Sequence, residues 1–91
     1  MPSEMYATCQ VWPGTFDSEV YVILGSVSAV VDKRNVKLLN QPYPTNGTHV
    51  AGSVLVYVVD EQPDRALVEL PGQAVVGGLR TWVPRDILAA A

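Results

Sequence analysis

His49 and Cys9 are the two side chains best suited to chemistry near neutral pH, and each is the only residue of its type in the chain. A histidine working as a general base needs a carboxylate or hydroxyl partner, and Thr48 and Val50 beside it supply no obvious one. Cys9 alternates with Ala7 and Val11, the pattern of a packed apolar face. A reactive thiol needs an accessible, electropositive setting instead. One histidine with one cysteine falls short of a zinc site, and a lone cysteine forms no internal disulfide. Asp60, Glu61, Asp64 and Glu69 gather around one turn. Acid–base pairs require one carboxylate to be shielded, whereas a polar turn solvates them all. The alternating acidic spacing and central glycine of a calcium loop are missing too. Lys33, Arg34 and Lys37 form the one basic cluster. With six Lys and Arg against nine Asp and Glu, and a net charge of −3, the chain lacks the phosphate-neutralising capacity of a nucleic-acid binder. No glycine belongs to a phosphate-cradling motif. The residues therefore point to no catalytic constellation, no metal and no cofactor.

Large aromatics carry more weight. Trp12 and Tyr43 each sit beside proline in expected loops, where a large aromatic either plugs the barrel end, the favoured reading, or serves as a contact residue. Trp82 lies in an expected strand near the C-terminal end. Tryptophan supplies wide contact area with a polar handle and is enriched at interaction hot spots. With His49, these three make the candidate binding set.

Elements must position them. Sixteen valines against eight leucines favour strands, because a branched Cβ restricts χ1 in a helix and packs well on a pleated surface. Seven Gly and seven Pro punctuate the chain. Alternation predicts a first strand over residues 6–12 and a type II turn at Trp12-Pro13-Gly14-Thr15. A second strand should follow, with Phe16, Ser18, Val20, Val22 and Leu24 on one face, ended by Gly25. Residues 26–39 fit either a helix or a hairpin. The hairpin is favoured, with a strand over 26–31 whose Val27, Ala29 and Val31 point inward, a turn over 32–35, and a strand over 36–39. Residues 40–49 form the longest loop, and Asn46-Gly47-Thr48 within it reads as turn chemistry. Further turns fall at Leu70-Pro71-Gly72-Gln73 and at Gly77-Gly78, before a last strand over 79–83. Six or seven short strands in one small domain over residues 1–88 suggest an all-β barrel, since an open sheet would leave a face and two edges bare. Ala89, Ala90 and Ala91 look like an expression-vector remnant and are expected to form a disordered tail. No secretory leader or long apolar run is visible, and the lone cysteine suggests the cytoplasm.

The segment Gly78-Leu79-Arg80-Thr81-Trp82-Val83-Pro84-Arg85-Asp86-Ile87-Leu88 resembles the closing part of SH3-like barrels. There a hairpin leads to an aromatic–aliphatic–proline step, a single 3-10 turn and a short final strand. The resemblance implies a small SH3-like barrel with a 3-10 turn near residues 84–87. Ile87 stands where peptide-binding members carry a tyrosine, so proline-peptide recognition is not implied.

The strongest hairpin joins residues 54–60 to residues 65–70. A four-residue loop sets Asp60 opposite Arg65 as an ion pair. It also places Leu55, Tyr57 and Val59 on the face of Ala66, Val68 and Leu70. Val54, Val56, Val58 and Leu67 then share the outer face with Asp60, Arg65 and Glu69. Such an apolar stripe is one that monomers avoid, so it should be covered by the 26–49 segment or by a second subunit. The leading expectation is a non-enzymatic binding module that associates with itself or another protein. The alternatives are a small-molecule binder or small enzyme with a site formed between subunits, and an acidic regulator docking on a basic partner.

Overall fold

The computed structural model describes residues 3–38, 41–45 and 47–91. The architecture is all-β: one curled antiparallel sheet forming a half-barrel, as expected of a small barrel-like domain. Among the described residues the strands are β1 (Ser3–Pro13), β2 (Glu19–Leu24), β3 (Val27–Asp32), β4 (Val36–Lys37), β5 (Val50–Glu61), β6 (Arg65–Glu69), β7 (Gln73–Val76), β8 (Arg80–Pro84) and β9 (Leu88–Ala90). The spatial order is β7-β3-β2-β1-β5-β6-β8, with β4 added to β5 and β9 added to β1. Among the described residues, no helix is long and apolar enough to cross a membrane.

The long strand β1 organises the sheet. Its residues from Ser3 to Val11 pair with β5, and those from Gln10 to Pro13 pair with β2. Strict alternation along it buries Ala7, Cys9 and Val11. The same period buries Val20, Val22 and Leu24 on β2 and Val27, Ala29 and Val31 on β3. Ala66, Val68, Leu70 and Val83 close the core from the other half. These positions agree with the alternation in the sequence, because a pleated strand sends successive side chains to opposite faces.

Several local expectations shift. Pro13 still pairs with Val20, so the first turn moves on to the next four residues, where Glu19 N–H donates to the Phe16 carbonyl at 3.2 Å. Phe16 is therefore 68% exposed, not part of the β2 core face. The described residues of this stretch, 26–38, hold strands that do not pair with each other as a hairpin. β3 pairs with β2 and β7, while β4 pairs with β5. A 3-10 turn (Lys33–Asn35), capped by the Asp32 side chain accepting from Arg34 N–H at 3.0 Å, carries the chain between them. Leu39, the last residue of the expected fourth strand, lies outside the described residues, as does Asn46. Strand β7 has no counterpart in the sequence reading. The expected closing 3-10 turn is present over Arg85–Ile87. Ala89 and Ala90 are no loose tail: they pair with Tyr6 and Met5 on β1.

The central hairpin carries the main correction. Its register shifts between Val58 and Asp60, a β-bulge that leaves Val59 over and sets Asp60 opposite Leu67. A one-residue shift sends a strand's whole side-chain set to the other face. Val54, Val56 and Val58 consequently form core, at 0%, 0% and 8% exposure, and are unavailable to a second subunit. Leu55 and Tyr57 take the outer face. The assignment of β6 holds, with Leu67 outward beside Arg65 and Glu69. Asp60 accepts from Glu61 N–H at 2.8 Å instead of pairing with Arg65, whose Nε donates to Gln62 Oε1 at 2.7 Å.

Candidate binding surface

The residues between the core positions build the outer face of the sheet. Register aligns Trp12, Tyr21, Val30 and Gln73 as one row across β1, β2, β3 and β7. A second row runs Gln10, Ile23, Ser28 and Val76. Trp12, Tyr21, Ile23 and Val30 are half-buried, so this face is apolar and only partly shielded. Ser28 sits at its centre with 5% exposure, and its hydroxyl has no hydrogen-bond partner among the described residues. A buried hydroxyl left so costs about 1–3 kcal/mol. The face ends at β7, where Val75 and Val76 are 53% and 60% exposed.

Two of the four expected binding residues meet on this face. His49 stacks on Trp12 with ring centroids 4.5 Å apart, and Trp12 Nε1 donates to Gln10 Oε1 at 3.3 Å. The other two lie apart. Tyr43 is covered by the Lys33 ammonium, 4.4 Å from its ring centroid, beside a small hollow lined by Pro13, Phe16 and Pro44. Trp82 lies on the outer face of β8, opposite Leu67, with the Arg65 guanidinium 4.4 Å from its centroid. Cation–aromatic pairs at exposed sites contribute roughly 0.5–1 kcal/mol each. Tyr21 and Val30 were not singled out from the sequence. The signal that finds them is the alternation that buries Val20, Val22, Ala29 and Val31 and so sends their neighbours outward.

A second concavity, about 320 Å³ in volume, lies over the outer side of β1 and β5. Tyr6, Thr8, Lys37, Gln41, Ser53 and Ala89 are among its lining residues. Lys37 Nζ stands 4.2 Å from the Tyr6 ring centroid. The floor stays low because Ala51, Gly52 and Ser53 are small. Gly52 has a second reason to be glycine: a Cβ there would come within 2.7 Å of Leu38 and 2.9 Å of Val11.

The chemistry of the remaining polar groups is quiet. Burial pushes the Cys9 thiol up from 9.0 to about 12, so it stays protonated and unreactive. Of the four acids near the central hairpin, Glu61 faces Arg85 at 3.8 Å and Glu69 faces Arg80 at 2.9 Å. Among the described residues, no group of three or more His, Cys, Asp or Glu is arranged to hold a metal ion. In comparisons with known proteins, the chain matches no family model, no curated protein and no solved structure.

Proposed function

We propose that this chain is a non-enzymatic, cytoplasmic β-barrel module that works by binding protein, its own second copy first. The observation that carries the reading is the outer row Trp12, Tyr21 and Val30, flanked by Ile23 and running out to the exposed valines of β7. A contiguous apolar face of this kind marks an interaction site, and an aromatic anchor with a polar handle suits its centre. The order of hairpin, Pro84, 3-10 turn and closing strand supports an SH3-like arrangement for the module. Size-exclusion chromatography with light scattering tests the function. A dimer forms by about 100 µM, the range expected of a modest apolar contact, and a chain that remains monomeric there contradicts the reading.

A second reading, a small-ligand binder, is favoured by the concavity walled by Tyr6 and Lys37. Its volume lies at the small end of the roughly 300–1,000 Å³ range of ligand pockets. A panel of small anions and aromatic metabolites that raises the melting temperature supports it. A flat response across the panel removes it.

A further inference from the structure

Strand β7 is one end of the sheet; among the described residues β3 is its one strand partner, and a β-bulge in that pairing leaves Val75 over between Ala74 and Val76. All four of its residues are exposed, and two of them are valines more than half accessible. From Leu70 to Leu79 the chain carries no charge at all. The two charges that bracket this stretch, Glu69 and Arg80, neutralise each other at 2.9 Å. Free sheet edges are ordinarily guarded by charge, by proline, by a bulge or by a covering segment, because a bare edge is a template for another strand. Of charge, proline and bulge, β7 carries the bulge alone. The opposite end of the sheet is guarded by charge and proline instead. β8 begins with Arg80 and ends with Pro84, and the chain continues from it into the 3-10 turn and β9.

We infer that β7 is the self-association edge, pairing antiparallel with β7 of a second copy across a two-fold axis. The inference rests on the self-binding reading above and names the surface and the occupant. Two observations and a symmetry rule favour a second copy over a charged foreign strand and over a head-to-tail chain. An uncharged edge meets its own copy without the like-charge repulsion that a chain of net charge −3 brings elsewhere. A two-fold axis at a strand edge generates antiparallel pairing and closes the assembly at two subunits. Pairing of β7 with the far edge of another copy would set it against Arg80 and Pro84, and proline donates no ladder hydrogen bond. The pairing also joins the two apolar outer faces, since Gln73 and Val76 end the rows that begin at Trp12 and Gln10. Four residues are a short seam, so the dimer is weak.

The test uses the full chain and two kinds of variant. Val75→Lys with Val76→Lys sets like charges against each other across the axis and leaves the core alone, because both positions are exposed. Its dimer dissociation constant, from sedimentation equilibrium, rises by tenfold or more, while Leu67→Lys on the other half of the sheet changes it less than twofold. Separately, Ala74→Cys and Val75→Cys are oxidised mildly. At least one forms an intermolecular disulfide, since an axis crossing β7 brings one of these positions close to its own copy. The unaltered chain forms none, because Cys9 is buried. A dimer that withstands the lysines and yields no disulfide overturns this inference and leaves self-association through another face standing. A lysine variant that dimerises less but whose cysteine counterparts stay uncrosslinked overturns the antiparallel edge geometry. A folded chain that is monomeric throughout overturns both readings, and a mixed complex recovered with a foreign strand on β7 overturns the choice of occupant.

Discussion

Cys9 shows how one residue's surroundings decide its chemistry. It lies between Ala7 and Val11 on the inner side of β1, opposite Gly52. Desolvation there raises its pKa to about 12, so the native state holds a proton that the unfolded thiol releases above pH 9. Between these limits the unfolded state binds fewer protons, and stability must fall as pH rises, by at most about 1.4 kcal/mol per pH unit. Urea titrations from pH 8 to pH 11 show this decline, and Cys9→Ala shows a shallower one. Alkylation by iodoacetamide at pH 8 proceeds no faster than global unfolding. Labelling as fast as that of a free thiol contradicts the burial. The Trp12 and His49 stack belongs to the same scale. It joins two residues 37 positions apart whose pairing no local pattern announces.

Among the elements, β7 depends most on a single position. Gly72 launches it at a φ of 107°, and a Cβ added there would sit 2.2 Å from the Val30 carbonyl oxygen. That oxygen is backbone of the strand β7 pairs with, so it cannot swing aside. Gly72→Ala therefore lowers stability by roughly 1–3 kcal/mol and loosens β7 from β3. Gly78→Ala is the control: its φ is also positive, yet nothing lies within 4 Å of the added carbon, and its cost stays near 1 kcal/mol. Chemical denaturation ranks the two, and equal costs would contradict the close approach. The central hairpin makes a second lesson at this scale. Turn residues and charges located it correctly, and the outward set on β6 was legible because Arg65 and Glu69 share a face with Leu67. The bulge at Val59 was not legible, since a run of Val54, Val56, Val58 and Val59 with Leu55 is apolar in either register.

For the whole molecule, the charge distribution separates two kinds of association. If copies meet along the uncharged stretch from Leu70 to Leu79, no ion pair forms or breaks on pairing. The dimer dissociation constant then stays within about twofold between roughly 0.05 and 0.5 M salt, a range over which the Debye length falls from about 14 to 4 Å. Docking on a basic partner through Asp60 and Asp64 behaves oppositely and weakens steeply with salt. Sedimentation or light scattering across that series distinguishes them, and a strong salt dependence of the homodimer contradicts the neutral edge.

Much of the fold was determined by sequence alone. A valine-rich, period-two pattern broken by Gly and Pro specifies strands and one buried face for β1, β2, β3 and β6, because side-chain direction alternates residue by residue wherever the strand is regular. The closing turn after Pro84 was legible for a similar local reason. Tertiary structure decided what depends on partners far along the chain. It set the bulge that turned Val54, Val56 and Val58 inward, and it placed Ala89 and Ala90 on β1 as a strand that composition would pass over. It gathered Trp12, Tyr21 and Val30 into one row, and it left β7 at an open edge. Register and edge position arise from pairing between distant segments, and a one-dimensional pattern carries no record of which strand lies beside which.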